Sequence, residues 1–371
     1  EWLGVRARRG AALSSAPHRS LGRIPPPAAM EQPARPLGAS CCSNVGWLVR
    51  SVAWCPFEEG SHLLAAAGDT AALLELRDAA DGRATLAPAE GMAIPIDGDV
   101  DAIAWGRVHG QICLTAIAGG SVSQHLCAAQ GHSLSSGVLQ LSSPVVNAPV
   151  YSACHLAREM LALTGASRQC SLLALGEGAA NLSRTIALHS EGVAVRAHHA
   201  QPDHLMVAEA CGGVHFLDLR EPEGPHPTLS RTLPPAAAAA GLRDADWCPG
   251  DSHLVCAVAG DAWYGWDLRG TGRAATAHVG GGGGETRGAH ALRWAPHGTS
   301  FAVAGRSSAV SVHELRTAAS SREERGLWSD SSTFLTHGLP TRVPSVSWKQ
   351  GATAARVLAG CGDTKICVWS L

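Results

Sequence analysis

The sequence predicts an all-β fold made of one unit repeated around an axis, and three observations carry that prediction. Large aromatic anchors recur at Trp54, Trp105, Tyr151, Trp247, Trp294 and Trp348, with Ala197 in the one remaining place, in steps of about 49 residues. Each is followed by an apolar run too short for a helix, such as LLAAA (Leu63–Ala67) or LVCAV (Leu254–Val258). A Gly-Asp turn then leads into a third segment, which ends in Trp266-Asp267 in one unit and Val368-Trp369 in another.

The units follow in order. Val49–Asp78 holds Trp54-Cys-Pro56, Leu63–Ala67, Gly68-Asp69 and a segment ending in Leu-Arg-Asp. VDAIAWG (Val100–Gly106) opens the second unit around Trp105, before a weaker stretch from about 107 to 150. Val145–Leu175 keeps an aromatic at Tyr151, and Gly192–Arg220 has Ala197 where the aromatic would stand. Leu242–Leu268 is the clearest copy, with Trp247 and Trp266. His290–Arg316 repeats it around Trp294, and Val343–Leu371 closes the series with Trp348 and Trp369.

A period of about 40–50 residues with several strands per unit is the signature of a WD40-type β-propeller, here with seven blades. Inner strands of a blade are covered on both faces by neighbouring blades, which accounts for apolar runs with little alternation. One aromatic at the end of each first strand fills the gap between blades. Burying a Trp removes about 150–250 Å² from water, roughly 4–6 kcal/mol gross.

The chain stops after the third strand of the last unit, so the expected outer strand comes from the N-terminal segment near 40–48. The domain reading is therefore a propeller over 30–371. Residues 1–29 hold five arginines and one acid, and read as an extraneous leader. Such a leader is either a transit peptide or upstream sequence ahead of a true start at Met30. The Pro234–Ala240, Gly280–Gly284 and Ser320–Ser332 stretches read as surface loops. Trp328 in the last is a candidate interface residue, the alternative being that it tucks onto its own blade.

Composition and motifs exclude several functions. The net charge is −2, with no basic run for nucleic acid or a membrane surface. No apolar stretch approaches the roughly 18 residues of a membrane span. Twelve scattered cysteines and 18 histidines show no metal spacing, and even His198-His199 has no third ligand nearby, so no cofactor or metal is expected. HVGGGGGETRG (His278–Gly288) lacks the Lys-Ser/Thr of a phosphate loop. Gly250-Asp251-Ser252-His253 resembles an esterase nucleophile block, but sits in a strand-to-strand turn. No catalytic residue is expected.

The runs LMVAEACGGVHFLDLRE (Leu205–Glu221) and DADWCPGDSHLVCAVAGDAWYGWDL (Asp244–Leu268) resemble the family of small WD-repeat nucleoporins of the Y-shaped nuclear pore scaffold. VAWCPFEEG (Val52–Gly60), VDAIAWG, LHSEGVAV (Leu188–Val195) and GCGDTKICVW (Gly360–Trp369) match in the same order. The resemblance spans most of Met30–Leu371 and leaves 1–29 without a counterpart. It implies a non-catalytic subunit docked on the long helical-solenoid nucleoporin of a short arm of that Y-complex. It further implies a place at the nuclear envelope, support of pore assembly and of protein and mRNA transport, and kinetochore association in dividing cells. No small-molecule substrate, direct nucleic-acid contact or membrane insertion is implied.

A rival reading uses Trp266-Asp267-Leu268-Arg269. It fits the W-D-x-R box of WD-repeat substrate receptors for cullin–RING ubiquitin ligases, whose Arg docks on the adaptor; Leu217–Arg220 is a weaker copy. Closure by the N-terminal segment is testable first: deleting residues 1–29 is expected to leave the melting temperature unchanged, and deleting 30–48 to lower it. Equal tolerance of both deletions removes the closure.

Overall fold

The computed structural model describes residues 39–371 except 59–60, 79–83, 95, 97, 131–132, 140–147, 177–178, 222–226, 270–275, 279–287, 307–308, 318–326, 337–341 and 351–356. The described residues form seven four-stranded antiparallel sheets, a seven-bladed β-propeller. The inner strands are Val49–Trp54, Val100–Val108, Val150–Leu156, Gly192–Ala197, Leu242–Trp247, Ala289–Trp294 and Ser345–Trp348. Each touches the inner strand of the next blade, and the last returns to the first. The stretch from 107 to 150 holds regular strands, Gln111–Ala118, Ser121–Gln130 and Ser133–Leu139.

Register explains the repeat. In six blades the inner ladder skips one residue, the second of the strand, in a β-bulge. Four residues beyond the skipped one, a row crosses the sheet: Trp54–Leu64–Leu74 in blade 1 and Trp247–Val255–Trp266 in blade 5, with Trp348–Leu358–Trp369 the matching row in blade 7. All of these side chains are buried, as are Trp105 and Trp294 at the same place in blades 2 and 6.

Blade 3 corrects the sequence reading. Tyr151 is not its anchor, because it is the skipped bulge residue and is 47% exposed. The anchor place, opposite Leu161, belongs to His155. Its Nε2 lies 2.8 Å from the Thr115 hydroxyl of blade 2. Gly106 makes room for the ring, since a Cβ there would stand 2.1 Å from it. The tryptophans reach back one blade in the same way. Trp105, Trp247 and Trp348 donate their indole N–H to the carbonyls of Ala53, Arg196 and Arg293, at 2.9, 3.4 and 2.9 Å.

The strand Cys41–Asn44 lies antiparallel to Lys365–Ser370 and forms the outer edge of blade 7. Ser40 N–H donates to the Val368 carbonyl at 2.8 Å and Val45 N–H to that of Thr364 at 2.9 Å. The leader reading of 1–29, the Gly280–Gly284 run and the side chain of Trp328 fall outside the described residues. Two loop readings change. Pro235–Ala240 is a short helix: alanine favours it, Pro235 presets its first turn, Ala237 is buried, and Gly241 ends it at φ 79°. Leu327–Thr336, part of the supposed third loop, is the outer strand of blade 6, with Trp328 opposite Arg316. All twelve cysteines are free, and only Cys42 and Cys211 are classed as exposed.

Burial depresses the His155 imidazole to about 4, against about 6.5 in an unfolded chain. The unfolded state therefore binds the proton more readily between those values, and stability falls as pH drops from about 6.5 toward 4. His155→Gln, which can still meet Thr115 but cannot charge, should flatten the melting temperature against pH in that window relative to wild type. An unchanged slope would mean that His155 is not held neutral.

Candidate functional site

The six bulge residues and Pro344, which precedes the inner strand of blade 7, converge. Arg50, Asp101, Tyr151, Val193, Arg243, His290 and Pro344 all line one central channel of about 480 Å³. A bulge leaves its residue outside the ladder and re-aims the side chain, so the repeat itself places these groups. In blade 7 the position is Pro344, which has no N–H to offer a ladder.

Charge is uneven around this mouth. Arg50 bridges Asp69 and Asp99, both at 3.0 Å and largely in solvent. Burial raises the Asp101 carboxyl against the pull of the Gly119 backbone and Arg50. On the other side burial, with Arg342, Arg243 and Arg306 nearby, drives the His290 imidazole down to about 4. The mouth is thus basic beside blades 5 and 6 and acidic beside blade 2.

Below the mouth, side chains of one inner strand accept N–H groups of the next. Ser345 and Ser347 take those of Val52 and Trp54 at 3.2 and 3.0 Å, across the junction of last and first blades. Ser152 takes that of Val195 at 3.1 Å. Asp244 and Asp246 take those of Leu292 and Trp294, each at 3.0 Å. Asp244 also binds Arg196 at 2.7 Å and pairs with Arg293, joining blades 4, 5 and 6. Burial raises the Asp246 carboxyl, opposed by Arg293 and Arg196.

Arg269 lies outside the channel, at the end of the third strand of blade 5. Its backbone N–H donates to Asp267 Oδ1 at 3.0 Å, its Nε to the same oxygen at 2.8 Å, and its Nη2 to Asp251 at 3.0 Å. Arg220 repeats this on Asp218, and Arg77 binds Glu75 at 2.7 Å. The acid-Leu-Arg sequence at third-strand ends is therefore a turn-closing device, with the Arg269 side chain still 43% exposed. Asp251 is engaged likewise, accepting the His253 N–H at 3.0 Å within the turn to the second strand.

His198 Nδ1 accepts the N–H groups of Ala200 and Gln201, which holds a turn. A different cluster, not legible in the sequence, gathers metal-capable groups: His189, Glu209 and His215. Burial would raise the Glu209 carboxyl, but hydrogen bonds from His215 and the Ser190 N–H prevail and hold it at about 2.

No protein-family model matches the chain. Over 81 residues it is 36% identical to nucleoporin Nup37 of Homo sapiens, and equally to that of Mus musculus. The match covers 22% of this chain and 23% of each relative, so it spans less than a quarter of their length. Among solved structures, Chaetomium thermophilum Raptor is similar with a TM-score of 0.62 over 90% of this chain and 29% of that one. At 13% identity that likeness is one of fold alone.

Asp244→Ala would remove a buried carboxylate from two half-buried guanidinium groups and is expected to cost about 3–5 kcal/mol in urea unfolding. Asp69→Ala, at an exposed pair, should cost no more than about 1 kcal/mol. Equal effects would contradict the buried network.

Proposed function

We propose that this propeller is a non-catalytic scaffold subunit of the nuclear pore, docking on a helical-solenoid nucleoporin of the Y-complex. The stretch similar to Nup37 carries the reading. A seven-bladed disc supports it physically, since it offers separate faces and a rim to different partners. On this reading the protein works at the nuclear envelope in pore assembly, and through it in transport of protein and mRNA. Kinetochore association in dividing cells belongs to the same proposal.

Arg269 keeps a ligase-receptor reading in play, because its guanidinium is partly exposed even while held by Asp267 and Asp251. Affinity purification from nuclear-envelope extract, with co-purifying proteins identified by mass spectrometry, separates the two. Recovery of Y-complex nucleoporins, unchanged in Arg269→Ala, is the expected outcome. Recovery of a cullin–RING adaptor that Arg269→Ala abolishes would replace the scaffold reading.

A further inference from the structure

Blade 4 is the blade whose anchor is only an alanine, Ala197. At the opposite end of its sheet, four segments bring polar groups onto one buried carboxylate. Glu209 ends the second strand, His204–Glu209, and is 1% exposed. Its Oε2 accepts the Ser190 N–H at 2.8 Å and the Cys211 thiol at 3.5 Å. Its Oε1 faces two imidazoles, His215 Nε2 at 2.8 Å and His189 Nδ1 at 3.6 Å.

His189 comes from the connection out of blade 3, Cys211 from a turn, and His215 from the third strand, Gly213–Asp218. The ligand atoms of His189, Glu209 and His215 all lie within 4.8 Å of one another. On the far side of the His215 ring, Nδ1 is 2.9 Å from the Ser230 hydroxyl of the outer strand. A cavity of about 340 Å³, lined by Val207, Leu217 and Pro227, borders the cluster.

We propose that His189, Glu209 and His215 bind one divalent transition-metal ion, with zinc the best fit to the donors. Two imidazole nitrogens and a carboxylate oxygen form a three-residue zinc set, whose fourth tetrahedral position water fills. Ligand bonds of about 2.1 Å place tetrahedral ligand atoms about 3.4 Å apart. The separations of 2.8 and 3.6 Å bracket that value, so small side-chain rotations complete the geometry.

The protons balance within the site. The His215 proton moves to Nδ1, where Ser230 accepts it, and the Nε2 lone pair is freed for the metal; such a second partner fixes the tautomer of a ligand histidine. The ion would tie the connection from blade 3 to two strands of blade 4, the blade with the smallest anchor. This role does not depend on nuclear pore association.

The test titrates the chelator-treated full chain with Co²⁺ and follows the visible spectrum. One equivalent should bind with the visible bands of a four-coordinate site, and Zn²⁺ should displace it. His189 is 87% exposed, so His189→Ala should fold and still weaken binding at least about tenfold. Cys211→Ser, beside the site but not a ligand, should keep the visible bands and bind with wild-type affinity. Zn²⁺ should also raise the melting temperature of wild type and not of His189→Ala. Absence of stoichiometric binding, or wild-type affinity in His189→Ala, overturns the proposal.

Discussion

Seven sheets can surround an axis only if the inner edge of each first strand, facing the channel, finds acceptors for its N–H groups. A buried and unmade backbone bond costs about as much as a lost hydrogen bond. At three of the seven junctions the preceding blade supplies acceptors from its own inner strand: serines from blade 7 to blade 1, a serine from blade 3 to blade 4, aspartates from blade 5 to blade 6. The choice has consequences. A serine hydroxyl enters as a neutral group, but a buried aspartate needs positive partners, and Arg196 and Arg293 provide them. The charged core of blades 4 to 6 follows from closing those edges with carboxylates.

The same strands bear the anchors, and the two systems interlock. The anchor indoles of Trp105, Trp247 and Trp348 bind the carbonyl of the residue just before the preceding blade's anchor position. The inner strands of blades 1, 4, 5, 6 and 7 thus each meet one neighbour through a hydroxyl or carboxylate and the other through an indole. Blades 3 and 4 instead carry His155 and Ala197 at the anchor place. In blade 3 a hydroxyl partner and the space above Gly106 accommodate the smaller ring. Behind Ala197, the next anchor, Trp247, packs against Phe216 and His198 at ring separations of 5.1 and 4.7 Å.

The blade count and most anchors were legible because a Trp beside a Pro or Gly is rare and its spacing regular. Tyr151 misled because it was sought as an aromatic rather than as a position. Counting from the start of each inner strand, the anchor is the sixth residue in blades 1 to 6, and that residue is His155 in blade 3. The channel ring was invisible for a related reason. A bulge residue has no type of its own, so Arg50, Tyr151 and Val193 share a place without sharing chemistry. Glu209 and its histidines escaped because their proximity is created by a connection and a sheet, not by spacing along one segment. The Pro235–Ala240 helix was hidden by composition that also suits a loop.

Surface and core use arginine in different ways, and the difference bears on where a partner can attach. Arg196 and Arg293 are committed to Asp244 in the interior, so removing their partner would leave buried charge. Arg220 and Arg269 close turns on adjacent acids at the surface, where each pair contributes little to stability. A surface guanidinium already paired at so little energetic gain can be exchanged to a partner's carboxylate at correspondingly small cost. Arg243, beside His290 at the channel mouth, stands in a stretch where positive groups crowd one another. An incoming acidic group would relieve that repulsion. The rim cations are already paired, whereas among the described residues no ion pair engages Arg243 at the mouth, so an acidic surface on a partner is favoured more strongly there than at the rim.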